Sequence, residues 1–340
     1  MNIDFVVTWL DSSDPKWQND YQKYKGGIKS GDQSEARYRN WGSLFRYWFR
    51  SIERYAPWVN KIYLVTNGKF PEWININHPK LVLVKHCDFI PPKYLPTFNS
   101  CTIELNLGKI EGLSECFVYF NDDCYLNQPV KPTYYFRNGL PCDNTEETFL
   151  TAAIYSPERS FDNYLHRACD VGLINCHFNR REVVSQAMFK WMNPYLSLKG
   201  LMVSIFLTLL KRNMFEGFRG CHVEQPMMKS TFTEIWNKYE SLMDISCSRF
   251  REDFSLNPYI IRYWQLAKNE FYPKKFEAKK INISIENLSI IKKSLNSRKI
   301  KSLCLNDDVV GLSADDILFL KNEVLDLMQK KFPLKSKFEL

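Results

Sequence analysis

Short apolar runs alternate with amphipathic stretches over the first 130 residues. Residues 3–9 form a run rich in β-branched side chains, and KIYLVT (61–66), LVLVK (81–85) and CFVYF (116–120) repeat the pattern. Each reads as a short buried strand. Between them, residues 44–55 set aromatic and basic side chains at helical spacing before Pro57, and residues 99–110 read as a further helix. Near-continuous apolar strands separated by helices predict an α/β fold. Its sheet should be mostly parallel with helices on both faces, because such strands are buried on both sides.

Beyond residue 130 the pattern changes. Pro129, Pro132, Pro141 and Pro157 predict loops or short strands there. From residue 223 the chain reads as largely helical, over 224–239 and 258–267, and a Lys-rich stretch, 274–301, predicts one or two strands with solvated loops. Residues 314–331 carry Ile317, Leu320, Val324, Leu327 and Met328 at helical spacing, with Ser313 as N-cap and Pro333 as the stop. The most apolar segment, 201–210, is followed by Lys211 and Arg212. It falls short of the roughly 20 apolar residues that a membrane-spanning helix needs. It reads either as a buried helix or as a peripheral membrane contact whose basic residues reach lipid headgroups.

Each predicted strand ends in polar residues. The first leads to Thr8, Asp11 and Asp14, the second to Thr66-Asn67-Gly68, the third to His86 and Asp88, and the fourth to Asn121-Asp122-Asp123. Open α/β sheets bind ligands outside the carboxyl ends of their strands, so four such clusters point to one site.

Composition narrows the partners. A chain of 340 residues that is 45% hydrophobic and 15% aromatic can bury a large core, which excludes a disordered protein. A net charge of +8 favours anionic partners but equally describes a solvated basic surface. The 10 cysteines form no CxxC pair, which removes zinc-ribbon spacing, and several sit inside apolar runs as small hydrophobes. They are expected to be reduced thiols in a cytoplasmic protein. The first residues carry no basic n-region of a signal peptide. There is no GxGxxG and no Walker motif, so no glycine loop cradles phosphate.

The candidate chemistry centres on Asp122 and Asp123. Vicinal carboxylates at a strand end can hold Mg²⁺ or Mn²⁺ against a diphosphate; capping of the following turn is the alternative. Asp11 and Asp14 could hold nucleotide or sugar hydroxyls, with Trp9 or Trp17 as an apolar wall, although Asp-Ser-Ser-Asp-Pro is also ordinary turn chemistry. Arg37, Arg39, Arg46 and Arg50 offer guanidinium forks for phosphate or a solvated helix face, and Arg249 with Arg251 offers a second clamp. His222 and Glu104 are candidate general bases, or structural residues.

The motifs resemble the Stealth family of hexose-1-phosphate transferases of bacterial capsule synthesis. The chain is also similar to the alpha/beta subunit of the lysosomal-enzyme N-acetylglucosamine-1-phosphotransferase. Four blocks carry the resemblance. They are IDFVVTWLDSSDP (3–15); a long block from ARYR (36–39) through APWV, VTNG, LPTFNS and GLSE to NDD (121–123); residues 222–263 with RFR (249–251); and CLNDD (304–308) with the closing FP and FEL. Leu10 stands where many members have Val, and the long insertions of the eukaryotic relatives are missing, which favours a glycan over a protein acceptor.

The resemblance implies a Rossmann-like sheet of the nucleotide-sugar transferase type with a largely helical C-terminal part. Residues 1–130 would form the nucleotide-sugar-binding core, 131–221 a variable acceptor-side or membrane-proximal insertion, and 222–340 the completion of the same catalytic domain. It implies transfer of a sugar 1-phosphate, such as N-acetylhexosamine 1-phosphate, from a UDP-sugar to a hydroxyl of a polysaccharide or lipid-linked oligosaccharide, with release of UMP. Glu104, Asp123, His222 and Arg251 match positions considered catalytic in the family. Thr8, Trp9, Asp11, Arg37, Arg46, Asn99 and Arg249 are expected to bind substrate, and Asp122, Asp123 and Asp307 the cation. The rivals are a metal-dependent glycosyltransferase that releases UDP and a non-catalytic polyanion- or membrane-binding module. Acidic clusters at strand ends repel polyanions, so nucleic acid is not expected as a partner.

Overall fold

The computed structural model describes residues 1–25, 44–150, 161–220, 222–252, 254–306 and 312–340. The first part of the chain forms β1 (Ile3–Thr8), α1 (Pro15–Lys25), α2 (Leu44–Tyr55), β2 (Ile62–Thr66), β3 (Leu81–Lys85), α3 (His86–Phe89), α4 (Ser100–Leu105), β4 (Cys116–Phe120) and β5 (Cys124–Leu126). Then come β6 (Phe136–Arg137), β7 (Leu140–Asp143), α5 (Phe161–His177), α6 (Arg180–Gln186), α7 (Met188–Trp191) and α8 (Leu198–Leu209). The remainder forms β8 (Gln225–Met228), α9 (Lys229–Lys238), α10 (Glu240–Ser246), α11 (Tyr259–Ala267), β9 (Tyr272–Pro273), β10 (Ala278–Asn282), α12 (Leu288–Leu295), β11 (Ser302–Asn306) and α13 (Ala314–Lys331).

The central sheet has the order β3-β2-β1-β4-β8, parallel except for β8, which runs antiparallel on the edge. Its strands read as continuous apolar runs because both faces are covered. Phe5, Val7, Leu64, Val118 and Phe120 pack on one side with Trp48 and Phe49 of α2. Val6, Tyr63, Val65 and Phe117 pack on the other with Phe232 of α9 and Trp264 of α11. This is the mostly parallel, Rossmann-like arrangement expected of the pattern, followed by a largely helical C-terminal region.

Two small sheets attach to it. In one, β11 pairs antiparallel with β5 and parallel with β10, so a segment near residue 300 lies directly beside the chain that follows Asp122 and Asp123. The other has the order β6-β7-β9.

The structure corrects several expectations. Residues 224–239 are not one helix: Gln225–Met228 first extends against β4, with Pro226 on the sheet edge, where a missing N–H costs no ladder bond. The Lys-rich stretch contains a helix, α12, whose buried Ile291 and Leu295 are four residues apart behind a basic outer face. Arg50, considered for phosphate, is buried and makes a two-pronged contact with Glu339, at 2.7 and 2.8 Å, and a further bond to the Phe332 carbonyl. Ser313 caps α13 as expected, in a reciprocal box with Asp316. Among the described residues no helix is long and apolar enough to cross a membrane.

Candidate active site

The order of the central sheet reverses at β1. The chain moves from β1 outward to β2 and β3, then returns to place β4 on β1's other side. The carboxyl ends of β1 and β4 therefore open a crevice at a topological switch point, where α/β sheets bind ligands. A cavity of about 460 Å³ lies there. β1 brings Thr8 and Trp9 to it, β4 brings Asn121, Asp122 and Asp123, and α4 brings Ser100 and Glu104, one turn apart. His222 enters beside β8, and Arg251 from the loop after α10.

Residues 104, 122, 123, 222 and 251, read separately from the sequence, thus share one cavity. Others do not line it. Asp11 accepts from the Ser13 backbone N–H at 3.0 Å and pairs with Lys69 at 3.0 Å, so it closes its own turn and ties it to the loop after β2. Asp4, at the far end of β1, accepts from Asn60, the Lys61 N–H and the Ser114 N–H and is an internal anchor. Arg46 lies over Trp73. Asn99 caps α4 by accepting from the Cys101 N–H, which aims Ser100 and Glu104. Arg249 donates to the Leu95 and Pro96 carbonyls and so fixes the loop that carries Arg251. Of the four strand ends, the second stays out of the cavity, and the third contributes His86 but not Asp88, whose carboxylate accepts from the Lys85 N–H at the start of α3. Arg37 and Asp307 lie outside the described residues.

A hydrogen-bond chain crosses the cavity floor. Tyr119 Oη donates to Asn121 Oδ1 at 2.7 Å and lies 3.1 Å from Thr8 Oγ1. With its Oδ1 facing Tyr119, Asn121 directs Nδ2 at His222 Nε2, 3.2 Å away. His222 Nε2 is also 3.7 Å from Asp123 Oδ2. Across the cavity, Arg251 Nη2 donates to Ser100 Oγ at 2.9 Å.

Burial sets the charges. It pushes Glu104 up to about 7, against the pull of Arg251, Tyr119 and Ser100. Burial, reinforced by the neighbouring Asp123 charge, likewise pushes Asp122 up to about 7. Burial alone takes His86 down to about 4, so it is neutral. A carboxyl raised from its unfolded value to about 7 favours the fold at low pH, and that contribution is lost as pH rises through 7. Glu104→Gln should therefore leave the melting temperature unchanged at pH 5 and raise it at pH 8.5, while lowering turnover at both. Calorimetry at the two pH values checks this; an equal shift at both would mean that Glu104 is not the strained group.

Asp123 is held from three sides. Cys124 Sγ donates to Oδ1 at 3.2 Å, Cys304 Sγ donates to Oδ2 at 3.0 Å, and the Leu305 N–H donates to the Asp123 carbonyl at 2.9 Å. Burial keeps both thiols protonated, Cys124 well above its ordinary value and Cys304 up to about 12. The ligand atoms of Asp123, Cys124 and Cys304 lie within 4.8 Å of one another, close enough to share a cation. Two adjoining carboxylates, one held partly protonated by burial and by the other's charge, also fit a cation that would relieve their repulsion.

Residues 37–143 match the family model described as Stealth protein CR2, conserved region 2. The capsular polysaccharide phosphotransferase WcwK of Streptococcus pneumoniae is 38% identical over 99% of this chain and 99% of its own length. The chain belongs to the Stealth family. It is accordingly a transferase. Other Stealth relatives include the receptor polysaccharide phosphotransferase WefC of Streptococcus oralis, 38% identical over 99% of both chains. The exopolysaccharide phosphotransferase cps2G of Lactiplantibacillus plantarum is 36% identical over 99% of this chain and 96% of its own. Among solved structures, the galactosyltransferase LgtC aligns with a TM-score of 0.42 at 8% identity over 96% of this chain and 95% of its own, a likeness too distant to bear on the reaction.

The cavity of this Stealth protein also holds groups that the sequence did not single out. Tyr119 joins Thr8 to Asn121, the residue named above at the end of the fourth strand; a Tyr inside a strand reads as core. Lys280 on β10 and Asn306 on β11 line the wall. They arrive through the β5–β11 pairing, which no local pattern announces.

Proposed function

We propose that this transferase moves a sugar 1-phosphate, of the N-acetylhexosamine class, from a UDP-sugar to a hydroxyl of a growing cell-surface polysaccharide. The product is a phosphodiester and UMP leaves. The observation that carries this reading is the convergence of Glu104, Asp123, His222 and Arg251 on one cavity at the switch point of the sheet. The relatives' names, capsular and exopolysaccharide phosphotransferases, support this reading.

In this reading the diphosphate lies between the β1 and β4 ends, with Trp9, stacked on Phe45, as an apolar wall. Asp122 and Asp123, with Asp307, would hold Mg²⁺ or Mn²⁺, which neutralises charge on the departing phosphate. Arg251, held by Ser100, stabilises the oxygens of the transferring phosphoryl. His222, fixed by Asn121, binds the diphosphate beside Asp123. Glu104, raised toward neutrality, takes the proton of the acceptor hydroxyl. The acceptor oxygen bonds to the β-phosphorus while the bridge to the α-phosphorus breaks, so the sugar's C–O bond and configuration survive. Positioning and charge stabilisation dominate such transfers.

The nucleotide released decides the reaction. Incubation with a UDP-N-acetylhexosamine and a polysaccharide acceptor should yield UMP and a phosphorus-31 resonance of a phosphodiester. UDP with no new phosphodiester would make the protein a glycosyltransferase and overturn the proposal.

A further inference from the structure

Helix α8 is built inside out. The side it turns to the protein carries Gly200, Ser204 and Leu207. Gly200 sits so close that a Cβ there would stand 2.5 Å from the Glu146 side chain. Ser197 caps the helix and also bonds Glu146, so the mounting is rigid. The outward side carries the large apolar residues: Leu198 is 77% exposed, Met202 62%, Phe206 52% and Leu209 75%. A surface helix normally does the reverse, burying its large apolar residues and showing small or polar ones. The preceding short helix α7 adds Phe189, 91% exposed. Leu198, Met202, Phe206 and Leu209, spaced four, four and three residues apart, share one side of α8, and such an exposed apolar stripe marks an interaction surface.

Charge indicates what covers it. Residues 188–214 contain Lys190, Lys199, Lys211 and Arg212 and no acidic residue. Lys199, Lys211 and Arg212 are exposed at the rim, Arg212 sharing its charge with Glu216 just beyond. An apolar stripe with exposed cations at both ends of its helix complements an anionic lipid surface, with the apolar side chains in the acyl boundary and the lysines at headgroup phosphates. A second copy fits less well, because a symmetric contact would set like-charged rims against each other. At about 1.5 Å per residue, the 12-residue helix is roughly 18 Å long. That is too short to cross the ~30 Å of hydrocarbon, so it must lie in the plane of the bilayer.

We propose that the α7–α8 face docks the protein on an anionic bilayer leaflet. The inference stands apart from the assigned reaction, since none of these residues lines the catalytic cavity. The test is co-sedimentation with vesicles of phosphatidylcholine alone and of phosphatidylcholine mixed with phosphatidylglycerol. The wild-type protein should bind the mixed vesicles, and less so as salt is raised. The variant Leu198→Gln/Met202→Gln/Phe206→Gln/Leu209→Gln should lose at least tenfold in binding with an unchanged circular dichroism melt, because these side chains contribute little to the core. Lys199→Glu/Lys211→Glu should lose the preference for anionic vesicles. Equal binding by the wild-type protein and the apolar variant would overturn the proposal. So would an absence of vesicle binding together with a wild-type dimer that the apolar variant converts to monomer in analytical ultracentrifugation.

Discussion

Asp123→Asn should lower kcat by roughly 10³-fold or more, the scale on which one charge-organising group acts in phosphoryl transfer. Asn has nearly the same shape as Asp, and its carbonyl oxygen can still accept from the Cys124 thiol, which lies 3.2 Å from Oδ1. The Leu305 N–H bonds the backbone of residue 123 and is untouched. What disappears is the negative charge that in the proposed reaction faces the diphosphate, and the Oδ2 acceptor of the Cys304 thiol, where the amide can donate to sulfur instead, so the defect should fall on kcat while the melting temperature shifts little. Quenched-flow release of UMP, read beside a thermal melt, separates the two. Wild-type turnover in the Asn variant would remove Asp123 from the mechanism. Loss of fold would mean that its charge is structural.

The largest stability effect should come from a pair far from the chemistry. Arg180 at the start of α6 meets Glu147 through two bonds of 2.7 Å, and the two side chains are 1% and 0% exposed. The same guanidinium reaches the Ser204 carbonyl and Thr208 on α8. Arg180→Met strands a buried carboxylate, and loss of one partner from such a pair costs about 3–5 kcal/mol. The double variant Arg180→Met/Glu147→Leu should regain most of it, because neither charge then has to be desolvated. Urea unfolding of the wild-type, single and double variants measures the coupling. Simple additivity would show that the pair does not act as a unit.

How much of this was legible in the chain depended on how local the signal was. The four parallel strands were legible because burial on both faces writes a continuous apolar run, as in Val6 and Val7, which point to opposite clusters. The edge strand β8 was not, since Gln-Pro-Met-Met carries no alternation and the amphipathic α9 follows at once. Helix α12 was hidden because Lys279, Lys280, Lys292 and Lys293 mask a two-residue apolar stripe. At the site, the acidic pair and the family blocks named the groups that converge. The pairing that positions them was illegible: Cys304 meets Asp123 across 181 residues, and each of those cysteines reads alone as a small hydrophobe. Asp11 and Arg249 do not line the cavity, for a related reason. Their types suit a ligand, but local turns and carbonyls claimed them first.

The contact between Arg50 and Glu339 also has a consequence in time. The two residues are separated by 289 positions, and the arginine sits on a helix that packs against the first strands to be made. At elongation rates of about 5–20 residues per second, that guanidinium waits roughly 15–60 s for its carboxylate. During synthesis the sheet can assemble on the ribosome, but its covering helix keeps an uncompensated cation until residue 339 emerges.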